Sequence, residues 1–193
     1  MKVVIIKYNA GNILSVRFAL KRLGIDAELT DNKDKILNAD KVIFPGVGEA
    51  SSAIAYLKNI GLDVLMPTLS KPFLGICLGL QLLCEYSEEN DTPCLGIFNE
   101  EVHKFPPLDK VPHIGWNRIK FNQHILFKGM ESSIYVYFVH SYYATIGIHT
   151  IAETDYIVPF SSALQKDNFF AVQFHPEKSG EVGEQILRNF LAL

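Results

Sequence analysis

Four apolar residues in a row, Val3-Val4-Ile5-Ile6, stand between Lys2 and Lys7, the pattern of a short strand buried on both faces. A turn-forming cluster, Asn9-Ala10-Gly11-Asn12, follows it. Ile13, Val16, Leu20 and Leu23 then recur at helical spacing, and Gly24 marks the helix end. Residues 27–29 read as a second strand and 41–44 as a third, stopped by Pro45-Gly46-Val47-Gly48. Residues 50–57 read as helix. Residues 72–76 read as a buried strand, and a helix begins at 78 directly after Cys77 and runs to Cys84. Strand, loop and helix in alternation predict a parallel sheet wrapped by helices.

The pattern changes in the second half. Residues 116–121, 134–139, 150–153 and 169–174 read as strands joined by turns, and 181–192 closes the chain as a helix with Val182, Ile186 and Phe190 on one face. There is no repeat, low-complexity stretch or linker. The expectation is an α/β protein, a single domain over residues 1–193, with a mostly parallel central sheet and an additional antiparallel strand region.

Composition narrows the function classes. No apolar run approaches the ~20 residues that span a bilayer, and the four at the N-terminus are too short for a signal-peptide core. A cytoplasmic protein is expected. A net charge of −3 lacks the basic footprint of a nucleic-acid binder. The three cysteines, Cys77, Cys84 and Cys94, form neither a disulfide framework nor a zinc-type spacing with histidine, so free thiols and no metal are expected.

Gly75-Ile76-Cys77-Leu78-Gly79 places a cysteine between glycines where a strand turns into a helix. Such a turn crowds the backbone on both sides of the nucleophile, which is why it takes glycine there. It sets the sulfur at a helix N-terminus, which favours thiolate, and points the Leu78 N–H toward a developing oxyanion. The bland alternative is a buried cysteine packed like a small hydrophobe. Cys84 and Cys94 fit that alternative. Val172-Gln173-Phe174-His175-Pro176-Glu177 puts a histidine at a strand end with a carboxylate two residues on, the base and orienter of a triad. His103, His113, His124 and His149 read as surface or loop residues.

Pro45-Gly46-Val47-Gly48 should lie beside the Cys77 strand, and the glycines leave the Val47 peptide free to turn its N–H toward a tetrahedral intermediate. Neither this segment nor the first turn has the pattern of a phosphate loop. Gln81 lies one helical turn after Cys77 on the same face. Ser141 and Tyr142, in Tyr137-Phe138-Val139-His140-Ser141-Tyr142-Tyr143, offer polar groups at a strand end, although ordinary loop chemistry would look the same.

Gly75 to Gln81 taken with Gln173 to Glu177 resembles the class I (triad) glutamine amidotransferases. The resemblance extends through Tyr8 to Asn12, Phe44 to Gly48, Val111-Pro112-His113-Ile114-Gly115-Trp116-Asn117, Tyr137 to Tyr142 and Lys178-Ser179, almost the whole chain. Lys7 departs from it, since many members carry Asp there. The resemblance implies a flavodoxin-like sheet and glutamine hydrolysis through a γ-glutamyl thioester on Cys77, with His175 shuttling protons and Glu177 orienting it. Val47 and Leu78 would stabilise the oxyanion, and Gly46, Gly48, Gln81, Ser141 and Tyr142 would hold glutamine. It also implies no cofactor, and a heterodimer with a (β/α)₈-barrel cyclase that receives the ammonia for an imidazole-forming step of histidine synthesis. By the same resemblance Asn12, Arg17, Tyr137 and Lys178 are candidates for partner contact or gating. Three rivals remain open on the sequence: a paralogue feeding another synthase, such as one amidinating a surface sugar; a cysteine acyl hydrolase; and a binding module with an inert thiol.

Overall fold

The computed structural model describes residues 1–8, 11 and 13–193. Its first half alternates as the pattern predicts: β1 (Val3–Ile6), α1 (Ile13–Arg22), β2 (Glu28–Thr30), α2 (Lys33–Leu37), β3 (Lys41–Gly46), α3 (Ala50–Ile60), α4 (Leu62–Leu65), β4 (Phe73–Cys77) and α5 (Leu78–Leu83). Two short strands, β5 (Tyr86–Ser87) and β6 (Thr92–Pro93), lead into β7 (Glu101–Lys104), β8 (His113–Phe121), β9 (Ser133–His140), β10 (Tyr142–Ala144), β11 (Thr150–Asp155), β12 (Pro159–Lys166) and β13 (Phe169–Val172). Helix α6 (Gly180–Leu191) ends the chain.

Among the described residues these strands form one sheet. Its core is the parallel run β2-β1-β3-β4-β13, the 2-1-3-4-5 order of flavodoxin-like sheets with β13 in fifth place. Beyond it β12 pairs antiparallel with β13, and the rest of the second half extends or branches from β12.

Alternation along each core strand separates two apolar layers. Val3 and Ile5 face α1 and α6, where Leu20, Ile186 and Phe190 are fully buried. Val4 and Ile6 face the other layer with Ile36 of α2, Leu57 of α3, Leu62 of α4 and Leu80 of α5. Both faces are therefore covered, which is why the core strands read as continuous apolar runs. Because β3, β4 and β13 are parallel, Gly46, Cys77 and the segment leading to His175 come out at one edge of the sheet.

Several details differ from expectation. Strand β2 lies one residue later and β3 runs on through Pro45-Gly46. Helix α5 stops at Leu83, so Cys84 is its extended C-cap, fully buried, rather than a helical residue. Strand β12, the buried partner of β13, has no counterpart in the sequence reading.

Candidate active site

Cys77 closes β4 and opens α5 with φ 55° and ψ −108°, a positive-φ conformation that a residue with a side chain rarely adopts. The surroundings impose it. A Cβ on Gly79 would lie 1.9 Å from the Phe44 carbonyl oxygen, so α5 meets β3 without room for a methyl group. The thiol is 5% exposed. Its Sγ lies 3.9 Å from the Val139 carbonyl oxygen and 3.7 Å from Nε2 of Gln173.

His175 follows β13 and caps a 3-10 turn, Pro176–Lys178, that leads into α6. Its backbone N–H donates to the Tyr137 carbonyl at 2.9 Å, and the Tyr137 N–H donates to Ser179 Oγ at 3.0 Å, so β9 anchors the turn on both sides. Nδ1 of His175 is 2.8 Å from Oε1 of Glu177, both side chains sealed from solvent. The Cys77 sulfur acts on the same imidazole from the cavity side. Burial alone works against the imidazolium, but the sulfur and the carboxylate outweigh it and raise the His175 pKa to about 10. The fold thus brings the cysteine of the β4–α5 junction to the segment that carries the histidine and the glutamate.

The sulfur opens into a cavity of about 260 Å³ between Val47-Gly48, Leu78, Gln81 and the 139–142 strand end. That is below the usual ~300 Å³ of drug-sized pockets and suits one small metabolite. Gln81, Ser141, Tyr142, Val47 and Gly48 all line it with Cys77. Gly46 is backbone beneath it, paired with Cys77 across β3 and β4; a Cβ there would overlap the Tyr8 hydroxyl. The Val47 carbonyl accepts from the Gly11 N–H at 3.3 Å, tying the loop after β3 to the first turn.

One lining residue, Glu89, and one buried residue behind the lining, His113, escaped the sequence reading. Glu89, in the turn between β5 and β6, accepts a 2.7 Å bond from the Ala50 N–H, and burial raises its pKa. No local pattern flags it, because only folding brings that turn back to the elbow. His113, expected at the surface, is 4% exposed and pairs with His140. It begins β8 opposite His140 of β9, so the long-range register buries it.

Of the partner candidates, Arg17 is exposed and 3.4 Å from Asp26, and Lys178 sits 5.8 Å above the Tyr137 ring. Asn12 lies outside the described residues. A larger hollow of about 730 Å³ between Phe121 and Ser132 holds none of the candidate residues. No helix among the described residues is long and apolar enough to cross a membrane, and no cluster of three metal-ligating side chains occurs among them.

A strained elbow cysteine acting on a buried histidine that a carboxylate orients is the constellation of thiol-dependent acyl-transfer enzymes. The family model for "Glutamine amidotransferase class-I" matches residues 4–193. The chain is 58% identical to the imidazole glycerol phosphate synthase subunit HisH of Bacteroides fragilis over the whole of both chains. It is 44% identical to the HisH subunit of Pasteurella multocida, covering 98% of this chain and 96% of that one. In fold it matches a crystal structure of a glutamine amidotransferase with a TM-score of 0.77 at 20% identity, covering 98% of this chain and 97% of that one. PurLQS from Thermotoga maritima gives a TM-score of 0.74 at 16% identity, over 99% and 97% of the two chains. The chain belongs to the class-I glutamine amidotransferase family.

Proposed function

We propose that this chain is the glutaminase subunit of an imidazole glycerol phosphate synthase, hydrolysing glutamine to glutamate and ammonia at Cys77. The carrying observation is the buried Cys77–His175–Glu177 constellation opening on a cavity sized for one amino acid. Support for the particular synthase comes from the relatives at 57–58% identity over the full chain, each named HisH subunit.

In this reading the Cys77 sulfur attacks the γ-carboxamide carbon, and the Leu78 and Val47 N–H groups receive the negative charge on oxygen. His175 gives its proton to the departing nitrogen, which leaves as ammonia, and a γ-glutamyl thioester remains on sulfur. His175 then takes a proton from water as water attacks the thioester, which frees glutamate and restores the thiol. Glu177 keeps the imidazole oriented throughout. Gln81 and Glu89 receive the α-ammonium group, and Ser141 and Tyr142 hold the α-carboxylate. Gly46 and Gly48 let the backbone close on the substrate. The cytoplasm is the setting, and its reducing conditions keep all three thiols free.

The proposed partner is a (β/α)₈-barrel cyclase of the HisF type in a heterodimer. Ile114 and Trp116 on β8 and Tyr135 on β9 are more than half exposed, as are Leu14 and Phe18 on α1. Strand β9 and helix α1 both contact the 3-10 turn that carries Glu177. The β8–β9 face continues to Val139, which pairs with Ile114 and whose carbonyl approaches the Cys77 sulfur. A partner covering this face therefore stands where ammonia is released, with Lys178 and Tyr137 at the exit and Arg17 at the rim. The Gly11–Val47 bond would hold the oxyanion loop at rest until the partner binds its ligand.

The test is glutaminase turnover of the purified chain, alone and with the cyclase and its nucleotide ligand. The reading predicts a rise of orders of magnitude in the full mixture. In the complex, Cys77→Ala should abolish glutamine-dependent synthesis and leave ammonia-dependent synthesis intact. Turnover from glutamine with no response to the cyclase would point to another synthase, and no turnover with an unreactive Cys77 would overturn the reading.

A further inference from the structure

A line of imidazole and amide groups, half-buried at Asn117 and buried at both histidines, runs from β8 to the thiol. Asn117 Nδ2 lies 3.3 Å from His113 Nε2 and 3.1 Å from the Asp155 carbonyl. His113 Nδ1 is 3.1 Å from His140 Nε2, and His140 Nδ1 is 2.7 Å from the Tyr142 carbonyl. That carbonyl also accepts from Gln81 Nε2 at 3.0 Å, and the same nitrogen donates to Gln173 Oε1 at 3.1 Å. Gln173 Nε2 then faces the Cys77 sulfur.

One arrangement of hydrogens satisfies every link. The Tyr142 carbonyl only accepts, so His140 carries its hydrogen on Nδ1 and, when neutral, accepts at Nε2. His113 must then donate from Nδ1 and accept at Nε2, where the Asn117 amide supplies N–H. A second proton on either ring would set two N–H groups against each other. Burial agrees: it pushes His113 down to about 4 and His140 to about 3, the latter opposed by the Tyr142 carbonyl and helped by the neighbouring His113 and His175.

The consequence reaches the cavity. Ser141 is the single residue between β9 and β10, so the chain turns a tight corner at the cavity wall. The Tyr142 carbonyl at that corner is held from one side by His140 and from the other by Gln81. With the Gln81 nitrogen committed to two protein acceptors, Oε1 is the atom this side chain can offer a ligand, an acceptor matched to an ammonium group.

Resting on the glutaminase reading, we propose that Asn117, His113 and His140 are positioning residues whose neutral, one-way hydrogen-bond relay fixes the Ser141–Tyr142 corner and the Gln81 amide for recognition of the glutamine α-amino group. Asn117 and His113 stand behind the cavity wall and His140 within it, and all three act through Tyr142 and Gln81.

The test uses the complex of the full chain with its cyclase. His113→Phe keeps a ring against Tyr156 and Phe138, on which His113 stacks at 3.9 and 4.9 Å, but removes the donor. His113→Asn returns an N–H near the Nδ1 position. The expected result for His113→Phe is a KM for glutamine raised on the order of tenfold, ~1.4 kcal/mol, as for a lost buried hydrogen bond. Its kcat should stay within about threefold of wild type, the split that marks lost ground-state binding. His113→Asn should recover most of the KM. Alkylation of Cys77 by iodoacetamide, which has no α-amino group, should proceed at the wild-type rate in both. An unchanged KM in His113→Phe, or equal losses in kcat, binding and alkylation, would overturn the proposal. A wild-type complex that does not hydrolyse glutamine would instead overturn the functional reading beneath it. Should His113→Phe fail to fold, nitrogen-15 NMR of the wild-type histidines decides. Both rings should be Nδ1–H tautomers that do not titrate between pH 5 and 8, and an Nε2–H tautomer or a midpoint near 6.5 in either would overturn it.

Discussion

At Cys77 the backbone pays for reactivity with conformation. Its φ of 55° and ψ of −108° lie where a non-glycine residue costs about 1–3 kcal/mol, and strand β4, helix α5 and the Phe44 carbonyl leave the chain no other path. Removing the side chain at this position should therefore show a reversal of the usual order. Cys77→Gly should unfold at higher denaturant than Cys77→Ala, although both lose glutamine hydrolysis; the reverse order would mean the turn is unstrained. His175 makes a second prediction. Its folded pKa, about 10, stands above the ordinary 6.5, so its contribution to stability is fully present below pH 6.5 and is lost as pH rises through 10. Unfolding free energy measured from pH 6.5 to 10 should decline more steeply in wild type than in His175→Gln. At this scale the triad was legible because each member carries its own local signature: glycines around Cys77, and Glu177 two residues from His175. Glu89 and His113 carry none. One is placed by the return of the β5–β6 turn to the elbow, the other by the His113–His140 register of β8 and β9.

Between β4 and α5 the sheet and the helix meet at van der Waals limits. A Cβ on Gly79 would penetrate the Phe44 carbonyl, and one on Gly75 would meet the Leu83 side chain at 2.7 Å and the Gly79 backbone at 3.0 Å. At Gly79 the obstacle is backbone and no flexible side-chain tip, so relief there requires moving β3 away from α5. Gly79→Ala should thus destabilise by about 1–3 kcal/mol, the usual cost of overpacking, and should also lower Cys77 alkylation by shifting the elbow. Chemical denaturation and the alkylation rate, measured on the same variant, test both halves; wild-type values for both would mean the contact relaxes freely. The five core strands were legible, within a residue or two, as apolar runs. Strand β12 was not, because Pro-Phe-Ser-Ser-Ala-Leu-Gln-Lys neither alternates nor looks apolar. It is a buried strand whose hydroxyls are satisfied inside the sheet: Ser161 Oγ donates to the Thr145 carbonyl at 2.7 Å, and Ser162 Oγ to Thr154 Oγ1 at 2.5 Å. Buried serine costs little when hydrogen-bonded, and those pairings exist only once β12 has met both β10 and β11.

At the scale of the molecule, some of the apolar residues that the core leaves out, Ile114, Trp116 and Tyr135, fall together on β8 and β9. Trp116 is 56% exposed and Tyr135 59%, on neighbouring strands, and Trp116 meets the Tyr137 ring edge-on at 6.2 Å. Alternation explains the arrangement: His113, Asn117 and Ile119 of β8 point inward, while Ile114, Trp116 and Arg118 point out with their cross-strand partners Val139, Tyr137 and Tyr135. One side of this hairpin therefore carries the buried histidine relay and the other the proposed docking face, with Val139 at the sulfur where the two converge. A large aromatic at the centre of such a face is the residue type that dominates binding energy. Trp116→Ala should weaken cyclase binding by about 2 kcal/mol or more, roughly 30-fold, read by calorimetric titration. Its thermal stability should stay close to wild type, because a side chain already more than half in water contributes little to the core. Glutaminase stimulation should then require proportionally more cyclase yet reach the same ceiling at saturation. An unchanged affinity would place the partner elsewhere on the surface, and a lowered ceiling at saturating cyclase would show that Trp116 takes part in activation as well as in docking.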